Sequence, residues 1–185
     1  IDPCSFYWEG RDASFTPFVY PGARASEFAG AMLNVQLDRL PGLIDTLRQN
    51  KAYVLEHTAD TGLEPTVRHC PEGECAITLM YSLPSAETAQ AFVEKAGGTI
   101  LLNTGRHNYT EWNPILYKQG GHHPAIDPFN LPQNEQCRKE YSKTMCQRSL
   151  DILARTVSIG MSPDATRDDL DARIENIRNA ASSVL

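Results

Sequence analysis

The chain has 185 residues, 41% of them apolar and 22% charged, with a formal net charge of −6. That size suits one domain or one domain with an arm, and the apolar share is enough for a core. The acidic balance argues against a broad nucleic-acid footprint, which needs clustered Lys and Arg to neutralise phosphates. No apolar run nears the roughly 20 residues that cross a bilayer.

Residues 1–23 are expected to form an extended arm. Phe6, Tyr7, Trp8, Phe15 and Phe18 stand there among Pro, Gly and charged residues, and so much apolar surface calls for a partner to pack against. The chain opens Ile-Asp-Pro, without the basic start and apolar stretch of a signal peptide. A cytoplasmic location is the expectation.

Residues 24–60 are expected to hold linking helices. Ala29, Leu33, Leu37 and Leu40 recur at helical spacing from near Ser26, which makes one face apolar. Pro41 suits the first turn of a second helix, where its missing N–H is not needed. Leu40, Ile44, Leu47 and Val54 continue a stripe to about Thr58, and Lys51 interrupts it. The expectation for Lys51 is a long stem reaching out to solvent.

Residues 61–185 are expected to form a small α+β domain. Ile77, Leu79, Tyr81 and Leu83 alternate with Ala76, Thr78, Met80 and Ser82, the period of a strand. Leu63 to His69 is its expected partner through the Pro71-Glu72-Gly73 turn. Ser85 can cap a helix burying Ala89, Phe92 and Val93, which Gly97-Gly98 stops. Thr99 to Leu102 is expected as a short strand. Residues 103–140 form a long connection rich in His, Asn, Pro, Gly and aromatics, and such connections are usually functional. A helix around Cys146 to Leu153, a strand through Val157 and Ile159, and a last helix follow. Thr166 and Asp169 form a capping pair for that helix, whose stripe is Leu170, Ile174, Ile177, Ala181 and Val184. This order predicts an antiparallel or mixed sheet with helices on one face.

Five cysteines, an odd number, suggest free thiols in a reducing compartment. Cys70 and Cys75 flank Pro-Glu-Gly-Glu, and His69 stands beside them. The expectation is a turn with two incidental thiols. A zinc site made from these three residues is the alternative, short of the usual four ligands.

The stretch Gly22-Ala-Arg-Ala-Ser-Glu-Phe-Ala-Gly-Ala-Met-Leu-Asn-Val-Gln-Leu-Asp-Arg-Leu40, with Arg48-Gln49-Asn50-Lys51 after it, resembles the DegT/StrS family of pyridoxal-phosphate-dependent sugar aminotransferases. Ser149-Leu-Asp-Ile-Leu-Ala-Arg-Thr-Val-Ser-Ile-Gly-Met-Ser-Pro163 and the capped helix after it look like that family's closing strand and helix. His107 to Leu116 and His122 to Phe129 resemble a subgroup with a long aromatic loop. The resemblance spans Gly22 to Leu185, the C-terminal half of such an enzyme. It implies the small domain of a fold-type I aminotransferase, which works as a dimer and closes over the substrate. The segment around Gly22 to Glu27 would enter a neighbouring site and touch the phosphate of pyridoxal 5'-phosphate. Gly22 stands where the family commonly has Asn, so this contact passes to backbone, to Arg24 or to Ser26. A guanidinium pairs well with phosphate; a salt bridge from Arg24 to Glu27 or Asp38 is the plainer alternative.

These enzymes hold their cofactor as a Schiff base on a lysine. Lys51, Lys95, Lys118, Lys139 and Lys143 are the lysines here, and none has the family's lysine setting. The resemblance therefore implies a half-site whose lysine comes from a partner subunit or a segment outside this sequence, in a homo- or heterodimer. No catalytic residue is assigned to this chain. A non-catalytic binding or regulatory module on the same scaffold is the alternative.

For a sugar-like keto or aldehyde substrate, His107 can donate and accept hydrogen bonds. Tyr109 and Trp112 offer flat apolar faces with a polar handle, suited to a sugar ring or to anchoring the loop. Arg155 can pair with a carboxylate, or serve as a satisfied arginine where a helix joins a strand.

Overall fold

The computed structural model describes residues 26–105, 108–121, 123–137 and 140–185. The expected arm at 1–23, Arg24 and His107 lie outside them. The chain divides into two compact units, one of residues 27–104 with 146–185, the other including 105–145.

The first unit begins with helix α1, Glu27–His57. It is one helix rather than the two expected, with Pro41 inside it. The apolar stripe explains this: Leu33, Leu37, Leu40, Ile44, Leu47 and Val54 keep one phase across the proline. Both sides therefore belong to one helical face, and the missing N–H removes a single hydrogen bond. The C-terminal half buries Leu47, Lys51 and Val54. On the N-terminal half Phe28, Met32, Leu33, Val35 and Leu37 are all more than half exposed.

Four antiparallel strands follow in the spatial order β1-β2-β4-β3: β1 Glu64–Pro65, β2 Thr78–Ser82, β3 Thr99–Ile100 and β4 Thr156–Gly160. The sheet is thus antiparallel throughout, with Pro65 opposite Tyr81, Leu79 opposite Ile159 and Ile100 opposite Val157. β1 is far shorter than the expected Leu63–His69 strand. Pro65 has no N–H for the ladder, and only the Thr66 N–H continues it, to the Met80 carbonyl at 3.0 Å. The strand expected through Leu102 gives way after Ile100 to a 3₁₀ turn, Leu101–Asn103. Ile77 shares the alternation of Leu79 and Tyr81 in sequence but is exposed. Ala76 before it has φ 56°, and that left-handed residue takes the chain out of strand phase.

Helix α2, Ala86–Ala96, starts on Ser85, whose side chain accepts from the Thr88 N–H. It stops at Gly97 (φ 75°), and Gly98 (φ 101°) follows. A Cβ on Gly98 would stand 2.7 Å from the Ser158 carbonyl oxygen, so β4 passes too close for any side chain there. Helix α3, Gln147–Ala154, leads into β4, and helix α4, Arg167–Val184, ends the unit. Thr166 and Asp169 form the expected capping box. Leu79, Tyr81, Val157 and Ile159 from the sheet cluster with Ala89, Phe92, Leu170, Ile174, Ile177 and Val54 from the helices. The alternation in β2 buries Leu79 and Tyr81 and leaves Thr78, Met80 and Ser82 half-buried.

Polar bonds fasten the C-terminal end of α1 to α4. Tyr53 Oη donates to Asp171 at 2.6 Å. Arg178 donates to both Asp60 carboxylate oxygens and to the His57 carbonyl at 2.8 Å.

The second unit is built from short turns, as the sequence predicts for its irregular stretch. It holds 3₁₀ turns at Tyr109–Glu111, Pro124–Ile126 and Pro132–Cys137 and one helical turn at Asn113–Leu116. Asn108 is buried, and its side chain accepts from the Thr110 N–H. No described helix is long and apolar enough to cross a membrane.

Candidate functional site

Two clefts in the first unit are lined by charged side chains. In the first, a long helix presents a charged residue where its stripe demands an apolar one. Lys51 follows Leu47 and precedes Val54 on the buried face of α1. Its side chain is only 7% exposed, against the expectation that it reaches solvent. A bare ammonium could not stay buried. Glu74, from the excursion between β1 and β2, takes its charge through an ion pair and hydrogen bond.

Arg48, one turn earlier on α1, holds that excursion in place. Its Nε donates to the Glu74 carbonyl at 2.8 Å and its Nη2 to the Glu72 carbonyl. Arg68 Nη1 stands 3.5 Å from the second Glu74 carboxylate oxygen. Burial alone would raise the Glu74 carboxyl, but the hydrogen bond and charge of Lys51, with Arg68 behind them, hold it below the ordinary carboxylate range. Lys51, Arg68 and Glu74 line a cleft of about 260 Å³ with Thr66, His69, Thr78 and Met80.

The turn at Pro71–Gly73 forms as expected. Cys70 and Cys75 are free and exposed, as are Cys137 and Cys146. The alternative zinc reading of His69, Cys70 and Cys75 is not met: among the described residues no three His, Cys, Asp or Glu side chains converge to hold a metal ion.

The second cleft, about 270 Å³, holds Arg155 with Leu63, Glu64, Ser82 and Pro84. Arg155 follows α3 at the join to β4, and its Nη1 donates to the Leu83 carbonyl at 3.2 Å. Its own carbonyl accepts from the Leu83 N–H at 2.8 Å. The guanidinium thus has a backbone partner at the helix-to-strand join and also lines the cleft.

The other predicted site residues fall elsewhere. Ser26 is exposed just before α1. Tyr109 and Trp112 lie together on one turn of the second unit, where the Trp112 N–H donates to the Tyr109 carbonyl at 3.0 Å. The Tyr109 hydroxyl donates to the carbonyls of Lys143 and Met145, which is the anchoring role. Trp112 is 46% exposed. Arg155 belongs to the other unit.

Two further lysines of the second unit are also paired, Lys118 with Glu140 and Lys143 with Glu111. The Lys51 cleft is absent from the sequence-predicted site. One signal pointed to it: a lysine in register with Leu47 and Val54 needs a counter-charge, and acidic Glu72 and Glu74 stand in a turn-rich segment that follows it in the chain. No protein-family model matches the chain.

Proposed function

We propose that this chain is the small-domain half of a pyridoxal-phosphate-dependent aminotransferase similar to the DegT/StrS family. It would take an amino group from an amino acid, Glu or Gln by preference, to a sugar-like keto or aldehyde substrate. The lysine-bearing half, a partner subunit or a segment outside this sequence, supplies the Schiff base. The cytoplasm is the proposed compartment.

The observation that carries the proposal is the bare N-terminal half of α1. Phe28, Met32, Leu33, Val35 and Leu37 form an apolar surface on more than one side of the helix, and an exposed apolar surface of this kind is normally covered by other protein. It coincides with the stretch that carries the family resemblance. The two resembling segments also meet: Asn50, in the Arg48–Lys51 stretch, donates to the Ser162 carbonyl of the closing segment at 3.1 Å.

The pairing of the described lysines supports a Schiff-base lysine supplied from elsewhere. Lys51 is committed to Glu74, Lys118 to Glu140 and Lys143 to Glu111, while Lys95 sits in the last turn of α2. No step on the cofactor is assigned to this chain. What it offers is binding: Arg155 for a substrate carboxylate and Trp112 for a sugar ring.

The test mixes the purified chain with pyridoxal 5'-phosphate, alone and with a lysine-bearing half from the same source. Alone it gives no internal-aldimine absorbance; the added half brings the band and transamination. If no lysine-bearing partner binds the chain or yields that band, the proposal fails and the binding-module alternative stands.

A further inference from the structure

The geometry points to a binding site for a phosphate monoester in the cleft that Lys51, Thr66, Arg68 and Thr78 line together with the Glu74 carboxylate. It is independent of the aminotransferase proposal and needs no second chain.

Lys51 is the first reason. Its ammonium is buried in the cleft wall and carries three N–H donors. One goes to Glu74, and the other two have no acceptor among the described residues. A buried cation with spare donors is costly unless an acceptor reaches it. The second reason is charge. Lys51 and Arg68 line the cleft against a single carboxylate, that of Glu74. Arg48 and Glu72 add one charge of each sign beside it, so the surplus stays positive in a chain whose net charge is −6.

The donors also select the anion. Two ammonium protons, the Arg68 fork and the Thr66 and Thr78 hydroxyls exceed what the two oxygens of a carboxylate take up. A phosphate monoester presents three terminal oxygens and matches a lysine used as a point charge beside an arginine fork. Val67 and Met80 supply an apolar wall, and about 260 Å³ leaves room for the organic part of an ester. Glu74 acts as an internal stand-in: its carboxylate holds the ammonium until phosphate oxygens displace it.

The experiment titrates the full chain with inorganic phosphate, phenyl phosphate and benzoate and follows backbone amide shifts. The expected result is saturable movement of the Lys51, Thr66, Arg68 and Thr78 amides. Phenyl phosphate binds several-fold tighter than inorganic phosphate and about tenfold tighter than benzoate. Arg68→Gln, an exposed change that leaves the fold intact, weakens binding about tenfold. Glu74→Gln tightens it several-fold, because the competing carboxylate is gone; a purely structural Glu74 would show no such gain. Shifts that do not saturate, benzoate binding as tightly as phenyl phosphate, or Glu74→Gln without a gain in affinity would each overturn the site. No lysine-bearing half enters this titration, so its outcome and that of the aldimine experiment are separate.

Discussion

The Lys51 ammonium of α1 donates to the carboxylate of Glu74, 23 residues later, and this pair joins the buried face of the long helix to the excursion between β1 and β2. The partners are unequal: the Lys51 side chain is 7% exposed and that of Glu74 26%. Removing the carboxylate strands a buried cation, whereas removing the ammonium leaves a carboxylate that still has Arg68 and solvent. Glu74→Gln should therefore cost more stability than Lys51→Met, about 2 kcal/mol against about 1 kcal/mol. Urea denaturation of the two variants checks the order. Phosphate in the buffer, bound at the proposed site, should restore part of the Glu74→Gln loss.

Acid should weaken the fold through the same carboxylate. Its folded-state pKa lies below its ordinary value, so its contribution is complete above the unfolded value of about 4.3 and is lost as pH falls through the depressed one. Asp60 is shifted the same way, chiefly by the Arg178 hydrogen bond. The urea midpoint should fall steadily as pH is lowered below about 5, and less steeply in Glu74→Gln. An equal slope in both proteins would remove Glu74 from this account.

Deep in the core, Tyr81 and Thr58 share a hydrogen bond of 3.0 Å. Thr58 Oγ1 also donates to the Val54 carbonyl at 2.8 Å, so the Tyr81 hydroxyl is the donor to Thr58. Burial raises the Tyr81 phenol above its ordinary value, with the Thr58 bond opposing. Tyr81→Phe keeps the ring's packing against Phe92, at 6.2 Å between centroids, and loses only the hydroxyl. A loss of about 1 kcal/mol in urea denaturation is expected, far less than the 3 kcal/mol or so for Phe92→Ala.

The start of α4 offers a local test. The Thr166 hydroxyl caps the Asp169 N–H at 3.2 Å, and the Asp169 carboxylate returns to the Thr166 N–H at 2.8 Å. Thr166→Ala should cost about 1 kcal/mol and speed amide exchange in the first turn of α4.

Gly98 tests a close approach. Alanine there meets both φ 101° and the Ser158 carbonyl oxygen, so Gly98→Ala should destabilise by more than 1 kcal/mol or so. Gly105→Ala also has positive φ but open space around it, so its smaller loss measures the backbone part and the difference between the two losses measures the steric part.

Local signals read well wherever the physics is local. The α4 cap and stripe, the Ser85 cap, the Gly97-Gly98 stop and the alternation around Leu79 and Tyr81 each need only neighbours in sequence. The misreadings share the opposite property. Pro41 looked like a helix start because propensity does not weigh a stripe that holds phase across it. The strand at Leu63–His69 shrank because pairing depends on the partner's register, and Lys51 looked solvated because its partner lies in another element. Of the site residues, Arg155 does line a cleft, while the Tyr109 hydroxyl is spent on backbone carbonyls from the far end of its own unit.

Helix faces, caps, strand period and an acidic α+β composition follow from the order of residues alone, because each arises within a few positions of chain. Which charges meet was decided only by folding. Lys51 met Glu74, and Arg178 met Asp60, because tertiary packing brought separate elements within reach, and burial of the Lys51 side chain turned the first of these encounters into a requirement.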